Sequence, residues 1–252
     1  MVEYVRRHFA DALIDERRIE YMTLAGIQKL TLLDYPGKVA CIVFTPGCNF
    51  RCPFCHNASL VTHTSDNISL DEGSLFDLLK KRSGVLEGVV ITGGEPLLHA
   101  DLPELMREIK RLGYMVKLDT NGTDPERLSK LIDENLCDYV AMDVKNPLKD
   151  YAAATGLLSV DTVALRRSID LLISGTVDYE FRTTAVKGIH TRDSIEEIAR
   201  EIAGARSYFL QTFKDSGDLV APRGLSAFSA EEMEDLCEAA KKYLPNVGIR
   251  GI

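Results

Sequence analysis

A chain of 252 residues suffices for one sizeable α/β core and does not demand two domains. Its net charge of −8 argues against an overall electrostatic footprint for nucleic acid, although a local basic patch would survive it. No apolar run reaches membrane-span length, and the charged first 22 residues lack the apolar centre of a secretory signal. The expectation is a cytoplasmic protein with reduced thiols and neither a membrane nor a nucleic-acid partner.

Residues 1–21, rich in Arg, Asp and Glu, read as a short amphipathic or frayed helix that carries no chemistry. Met22 is an alternative start. Residues 1–22 are therefore set apart as an N-terminal extension, either solvated or absent from the protein, and 23–252 as the core domain. An extended lead-in, 26–33, is followed by the turn Asp34-Tyr35-Pro36-Gly37. Short apolar strands at 39–45, 88–92, 115–118, 139–142, 179–183 and 208–210 alternate with helical patterns. The helices fall at 71–82, 102–112, after Asp124-Pro125, and at 161–173, 194–203 and 229–243, the last capped by Ser229. Residues 247–250 read as a short terminal strand. Alternation of this kind argues for a parallel sheet with right-handed crossovers. Six units are too few to close an eightfold barrel, so an α/β fold with an open, partial barrel fits.

The first strand runs into Cys48-Asn49-Phe50-Arg51-Cys52-Pro53-Phe54-Cys55-His56-Asn57. Three thiols at C-x3-C-x2-C spacing can wrap one inorganic centre, zinc or an iron–sulfur cluster, and leave one corner open. Other readings stay open at this point. Cys52 to His56 matches the C-x-x-C-H pattern of covalent haem, which leaves Cys48 idle. Cys48, Cys52, Cys55 and His56 could hold a structural zinc, which usually draws two ligand pairs from separate segments. A disulfide needs an oxidising compartment. Cys41, Cys137 and Cys237 lie in apolar or helical contexts and read as buried structural thiols, so a single cluster is expected.

In parallel α/β sheets ligands gather at the carboxyl ends of the strands. There stand Gly93-Gly94-Glu95-Pro96, Asp119-Thr120-Asn121-Gly122, Asp143 with Lys145, Arg182 to Thr184, and Gln211. Each has a plain structural reading: a tight turn for the glycines, a surface acid for Glu95, an ion-pair network for Asp119, Asp143 and Lys145.

Together with Asp34 to Lys38, Lys117-Leu118-Asp119-Thr120-Asn121-Gly122, Ala141-Met142-Asp143-Val144-Lys145, Glu180 to Thr184, Leu210 to Phe213 and Ile249-Arg250-Gly251, these motifs resemble the radical S-adenosylmethionine (SAM) enzymes. More narrowly, they are similar to the family that activates the anaerobic ribonucleoside-triphosphate reductase. The resemblance covers about residues 25–252 and implies an open partial (β/α)6 TIM-like barrel. It implies that Cys48, Cys52 and Cys55 hold a [4Fe–4S] cluster through three irons, with SAM on the fourth. By the same resemblance Gly93, Gly94 and Glu95 meet the SAM amino group, and Phe54 packs on adenine. Asp119, Thr120 and Asp143 become candidates for SAM binding and a monovalent-cation site. Lys145 and Arg182 become contacts to cofactor or partner. His56 and Asn57 support the loop, and His63, His99 and His190 receive no role.

The implied reaction is reductive SAM cleavage, followed by hydrogen abstraction from a glycine of a large glycyl radical enzyme. A low-potential donor such as flavodoxin or ferredoxin supplies the electron. Pyruvate formate-lyase activases share the cysteine loop and the Leu-Asp-Thr-Asn-Gly run; the Asp34 to Lys38 lead-in and Glu180 to Thr184 favour the reductase as partner. Two alternatives are a radical SAM enzyme acting on a small molecule, such as the 7-deazaguanine-forming type, and a non-catalytic zinc-binding module.

Overall fold

Strands form where runs of branched apolar residues can be buried on both faces of a sheet. The computed structural model describes residues 22–62, 72–215, 217, 219–221 and 223–251. The expected N-terminal helix, His63 and part of the loop after residue 213 lie outside these residues. The strands are β1 (Gly26–Thr31), β2 (Ala40–Thr45), β3 (Gly88–Gly93), β4 (Met115–Thr120), β5 (Tyr139–Asp143), β6 (Asp178–Ala185), β7 (Tyr208–Thr212) and β8 (Val247–Arg250). The helices are α1 (Ala58–Thr62), α2 (Glu72–Lys81), α3 (Leu102–Arg111), α4 (Pro125–Asp133), α5 (Tyr151–Thr155), α6 (Thr162–Ser174), α7 (Arg192–Glu201) and α8 (Ala230–Lys241).

Local chemistry sets these boundaries. In β3 Val89, Val90 and Ile91 are fully buried, as a strand covered on both faces requires. In α3 the buried set Leu102, Leu105, Met106 and Ile109 follows helical spacing. The Asp124 side chain accepts from the Arg127 N–H to open α4, and reciprocal capping boxes at Thr191/Ser194 and Ser229/Glu232 open α7 and α8.

Among the described residues eight strands pair in chain order. β1 is antiparallel to β2, and every later pair is parallel. Among the described residues β1 and β8 each have one strand neighbour, so the sheet is an open, partial barrel. The lead-in is thus a paired edge strand. Two short helices were not legible in the sequence. α5 has five residues and is fastened by tertiary contacts: the Arg51 N–H donates to the Thr155 carbonyl at 2.8 Å, and Phe50 packs on Tyr151. α1, also five residues, follows the cysteine loop directly.

The main core lies between the sheet and its helices. A smaller cluster of Tyr35, Ala40, Ile42 and Val90 packs inside the barrel. Tyr35 is buried against Gly88, where a Cβ would lie 2.8 Å from its ring. Tyr35 therefore packs the barrel interior at the amino-terminal end of β3, while Asp34 of the same turn lines a cavity shared with the cysteines. Met22 is buried, and its N–H donates to the buried carboxylate of Glu72 at 2.9 Å. No helix of the described residues is long and apolar enough to cross a membrane.

Candidate functional site

The carboxyl ends of β2 to β7 surround one cavity of about 410 Å³. Cys48, Cys52 and Cys55 form one wall with Phe54 between the last two. Gly93, Gly94, Glu95, Asp119 and Thr120 line it from β3 and β4, and Asp143, Lys145 and Arg182 from β5 and β6. Thr184 and Gln211 complete it from β6 and β7.

The cysteine loop is held in place by its neighbours. Asn121 donates its amide to Asn49 Oδ1, and Asn49 donates to Thr123 Oγ1, each at 2.8 Å. Asn57 donates to the Gly93 carbonyl at 3.0 Å, and the Ala221 N–H donates to the Pro53 carbonyl at 3.0 Å. His56 rests against Phe213, and His99 Nε2 bonds the Pro46 carbonyl. The Glu95 N–H donates to the Gly47 carbonyl at 2.8 Å, which brings the Gly93-Gly94 turn onto the loop. A Cβ on residue 94 would sit 1.7 Å from the Gly47 oxygen. Gly94→Ala is therefore expected to lower stability by about 3 kcal/mol, read as a fall in urea midpoint. An unchanged midpoint would show that the turn yields without cost.

The three thiols are free. Burial pushes the Cys52 thiol up to about 11, although the Lys145 charge pulls the other way. Burial raises Cys48 as well. Thiolates here need added positive charge, which a metal centre supplies. Among the described residues no three His, Cys, Asp or Glu side chains are gathered tightly enough for a single ion. Three cysteine thiols on one loop are the donor type that an iron–sulfur cluster takes.

Glu95 is 1% exposed. Its Oε1 accepts from the Thr120 hydroxyl at 2.7 Å and the Leu97 N–H at 3.1 Å, and its Oε2 from the Asn121 N–H at 2.7 Å. Burial lifts its pKa to about 7 against the pull of these donors. A buried carboxylate held by neutral donors gains most from a cationic ligand.

Beside Thr120 begins an ion cluster. Arg182 NH1 meets Asp119 Oδ2 at 3.1 Å, Arg182 Nε meets Asp143 Oδ1 at 2.9 Å, and Lys145 Nζ meets Asp143 Oδ2 at 3.3 Å. Lys117 pairs with the other Asp119 oxygen. Burial alone would raise Asp143; the Arg182 and Lys145 charges outweigh it and hold the carboxyl at about 2. Lys117, Arg182 and Lys145 against Asp119 and Asp143 leave one surplus positive charge.

Sequence reading gave no part to Lys117, Asn49 or Asn121. Lys117 lies in a strand motif, where its register alone decides that it faces the barrel interior. His190, also given no role, is buried beside Phe54, and burial lowers its pKa.

The Radical SAM superfamily model matches residues 42–202. A Methanocaldococcus jannaschii protein that carries the provisional name of a glycyl-radical enzyme activating enzyme is 35% identical over 236 residues, 91% of this chain and 96% of that protein. The 7-carboxy-7-deazaguanine synthase of Methanopyrus kandleri is 26% identical over 209 residues, 74% of this chain and 82% of that enzyme. Among solved structures, Streptococcus suis SuiB bound to its precursor peptide SuiA superposes with a TM-score of 0.66 at 15% identity. That match covers 83% of this chain and 48% of SuiB, so the chain spans about half the length of SuiB and shares its fold. With this match over most of the barrel, and a relative aligned along nearly its whole length, the chain belongs to the radical SAM superfamily, whose enzymes work with a [4Fe–4S] cluster and SAM.

Proposed function

We propose that this radical SAM enzyme activates a glycyl radical enzyme, and that its partner is the large subunit of the anaerobic ribonucleoside-triphosphate reductase. The observation that carries the reading is one cavity with free thiols on one wall, a cation-seeking carboxylate on the next, and an open sheet edge beside it. The full-length similarity to a protein named for glycyl-radical enzyme activation supports the same reading.

Cys48, Cys52 and Cys55 hold the cluster. Gly93 and Gly94 let the methionyl end of SAM approach the backbone, and Glu95 accepts its ammonium. The surplus positive charge around Arg182 and Lys145 suits its carboxylate. A monovalent cation at Asp119, Thr120 and Asp143 would have to displace Lys117, Arg182 or Lys145 and the Thr120–Glu95 bond. Phe54 offers its ring to adenine. When bound, the reduced cluster and SAM supply a hydrogen-abstracting carbon radical. The chain's part is to orient SAM, exclude water and admit a partner's glycine loop through the gap between β1 and β8. A low-potential flavodoxin or ferredoxin serves as electron donor, and the six free cysteines suit a cytoplasmic setting. Residues 23–252 make up the catalytic domain in this reading, with 1–22 set apart although Met22 itself packs in the core.

The test is electron paramagnetic resonance on the anaerobically reconstituted, reduced protein with SAM. The reductase large subunit is added in one tube and pyruvate formate-lyase in another. A glycyl-radical doublet in the reductase tube alone is the expected result. A doublet only with pyruvate formate-lyase replaces the partner. Cleavage of SAM without a doublet favours a small-molecule substrate, the reading that the similarity to 7-carboxy-7-deazaguanine synthase supports.

A further inference from the structure

His190 is 4% exposed, and it touches three separate parts of the site. It follows β6 in a tight turn, its N–H donating to the Val186 carbonyl at 2.8 Å. The Val186 N–H donates back to its Nδ1 at 3.0 Å. Nδ1 is therefore bare, and the ring proton is on Nε2, which donates to the Lys145 carbonyl at 2.9 Å. The ring stands edge-on to Phe54, with centroids 6.3 Å apart and planes at 68°.

The backbone that His190 grips is otherwise fully engaged. The Val144 N–H donates to the Arg182 carbonyl, and the Val144 carbonyl accepts from the Thr183 hydroxyl. The Lys145 N–H donates to Tyr151 Oη, which donates to the Asp143 carbonyl. These bonds fix the end of β5 to its neighbours. His190 links that strand end to Phe54 of the cysteine loop, as Tyr151 links it to Phe50. The place asks for an acceptor, a donor and an aromatic surface in one rigid group. Neutral histidine supplies all three; Asn and Gln lack the ring, and Phe lacks both polar atoms.

We infer that His190 is a positioning residue for SAM: it sets the distance between Phe54 and Lys145, so that the adenine and the carboxylate of one ligand can be held at once. This rests on the reading of those two residues given under the proposed function. The plainer alternative is a histidine that only braces the turn after β6. The two differ in what a variant loses. A spacing role affects a ligand that spans both walls and leaves its halves alone. A brace affects everything together.

The experiment measures binding to the reconstituted, unreduced holoprotein by calorimetry, with SAM, methionine and 5′-methylthioadenosine as separate probes. His190→Phe keeps the ring and loses both polar atoms; His190→Gln keeps a donor toward Lys145. His190→Phe is expected to weaken SAM roughly tenfold and to leave each half-ligand within about twofold of wild type, with His190→Gln, which keeps the donor but lacks the ring, recovering part of the loss. SAM affinity equal to wild type in both variants overturns the inference and leaves the site reading intact. Parallel loss of all three ligands with a lowered melting temperature overturns it in favour of the brace. If His190→Phe does not fold, the same comparison is made on His190→Gln against His190→Asn, which keeps the acceptor for Val186 and loses the donor. Equal SAM affinity in that pair then overturns it. A wild-type holoprotein that binds no SAM removes the underlying reading, and this inference with it.

Discussion

Cys52→Ser protein, reconstituted anaerobically, is expected to retain less than about a tenth of the wild-type iron and sulfide and to give no detectable SAM cleavage. A hydroxyl stays protonated where a thiol would ionise, so one corner of the centre loses its ligand. The same outcome is expected for Cys48→Ser and Cys55→Ser. Cys41→Ser is the control, because Cys41 is buried in β2 away from the cavity, and it should load fully. Iron, acid-labile sulfide and the visible spectrum are the readouts. Full loading of all three variants would remove the cysteine loop from the chemistry. Zinc in stoichiometric amount without sulfide, in the wild type, would restore the zinc-module reading.

Arg182→Met is expected to cost roughly 3 kcal/mol of stability at neutral pH. The guanidinium holds both Asp119 and Asp143, and its removal leaves one or both carboxylates short of a partner in a buried setting. The Asp143 side chain is 31% exposed, which places the figure at the low end for a broken buried pair. The pH dependence gives the loss a signature. In the wild type the Asp143 carboxyl sits at about 2, below its unfolded value, so its stabilising contribution is complete above the ordinary carboxylate range and fades as pH falls toward 2. In the variant Lys117 and Lys145 remain beside Asp119 and Asp143, but one charge fewer opposes burial, so both carboxyls rise from their wild-type values. The gap between the two urea midpoints should therefore be full at neutral pH and narrow as pH falls through the ordinary carboxylate range. A gap of constant size would mean that Arg182 contributes packing rather than charge.

The strands were legible because they are short apolar runs such as Val89-Val90-Ile91, bounded by glycine. Their carboxyl ends then pointed to where Glu95, Asp119, Asp143 and Arg182 would gather, since a parallel sheet sends all its chain ends the same way. Register-dependent features were harder to see. Lys117, inside a strand motif, reads as a surface lysine unless one knows that it shares a barrel face with Asp119. α5 carries too few residues for a periodic signal and exists because Phe50 and Arg51 bind it. His190 sits six residues beyond the visible motif of β6, which ends at Thr184, and its three partners come from the segment just after β5, the turn after β6 and the cysteine loop. Nothing local marks such a residue.

The fastening of the cysteine loop also orders events in time. The thiols leave the ribosome early, directly after β2. The groups that clasp their loop come much later: Asn121 and Thr123 beyond β4, Thr155 in α5, and Ala221 beyond β7. A nascent chain that ends before β7 therefore carries all three cysteines on a half-fastened loop, open to oxidants and stray metal ions. With the cysteines assigned as proposed, maturation of the iron–sulfur centre is in this sense post-translational by architecture. The assembly machinery meets a receptive site only when almost the whole polypeptide has been made and wound into its sheet.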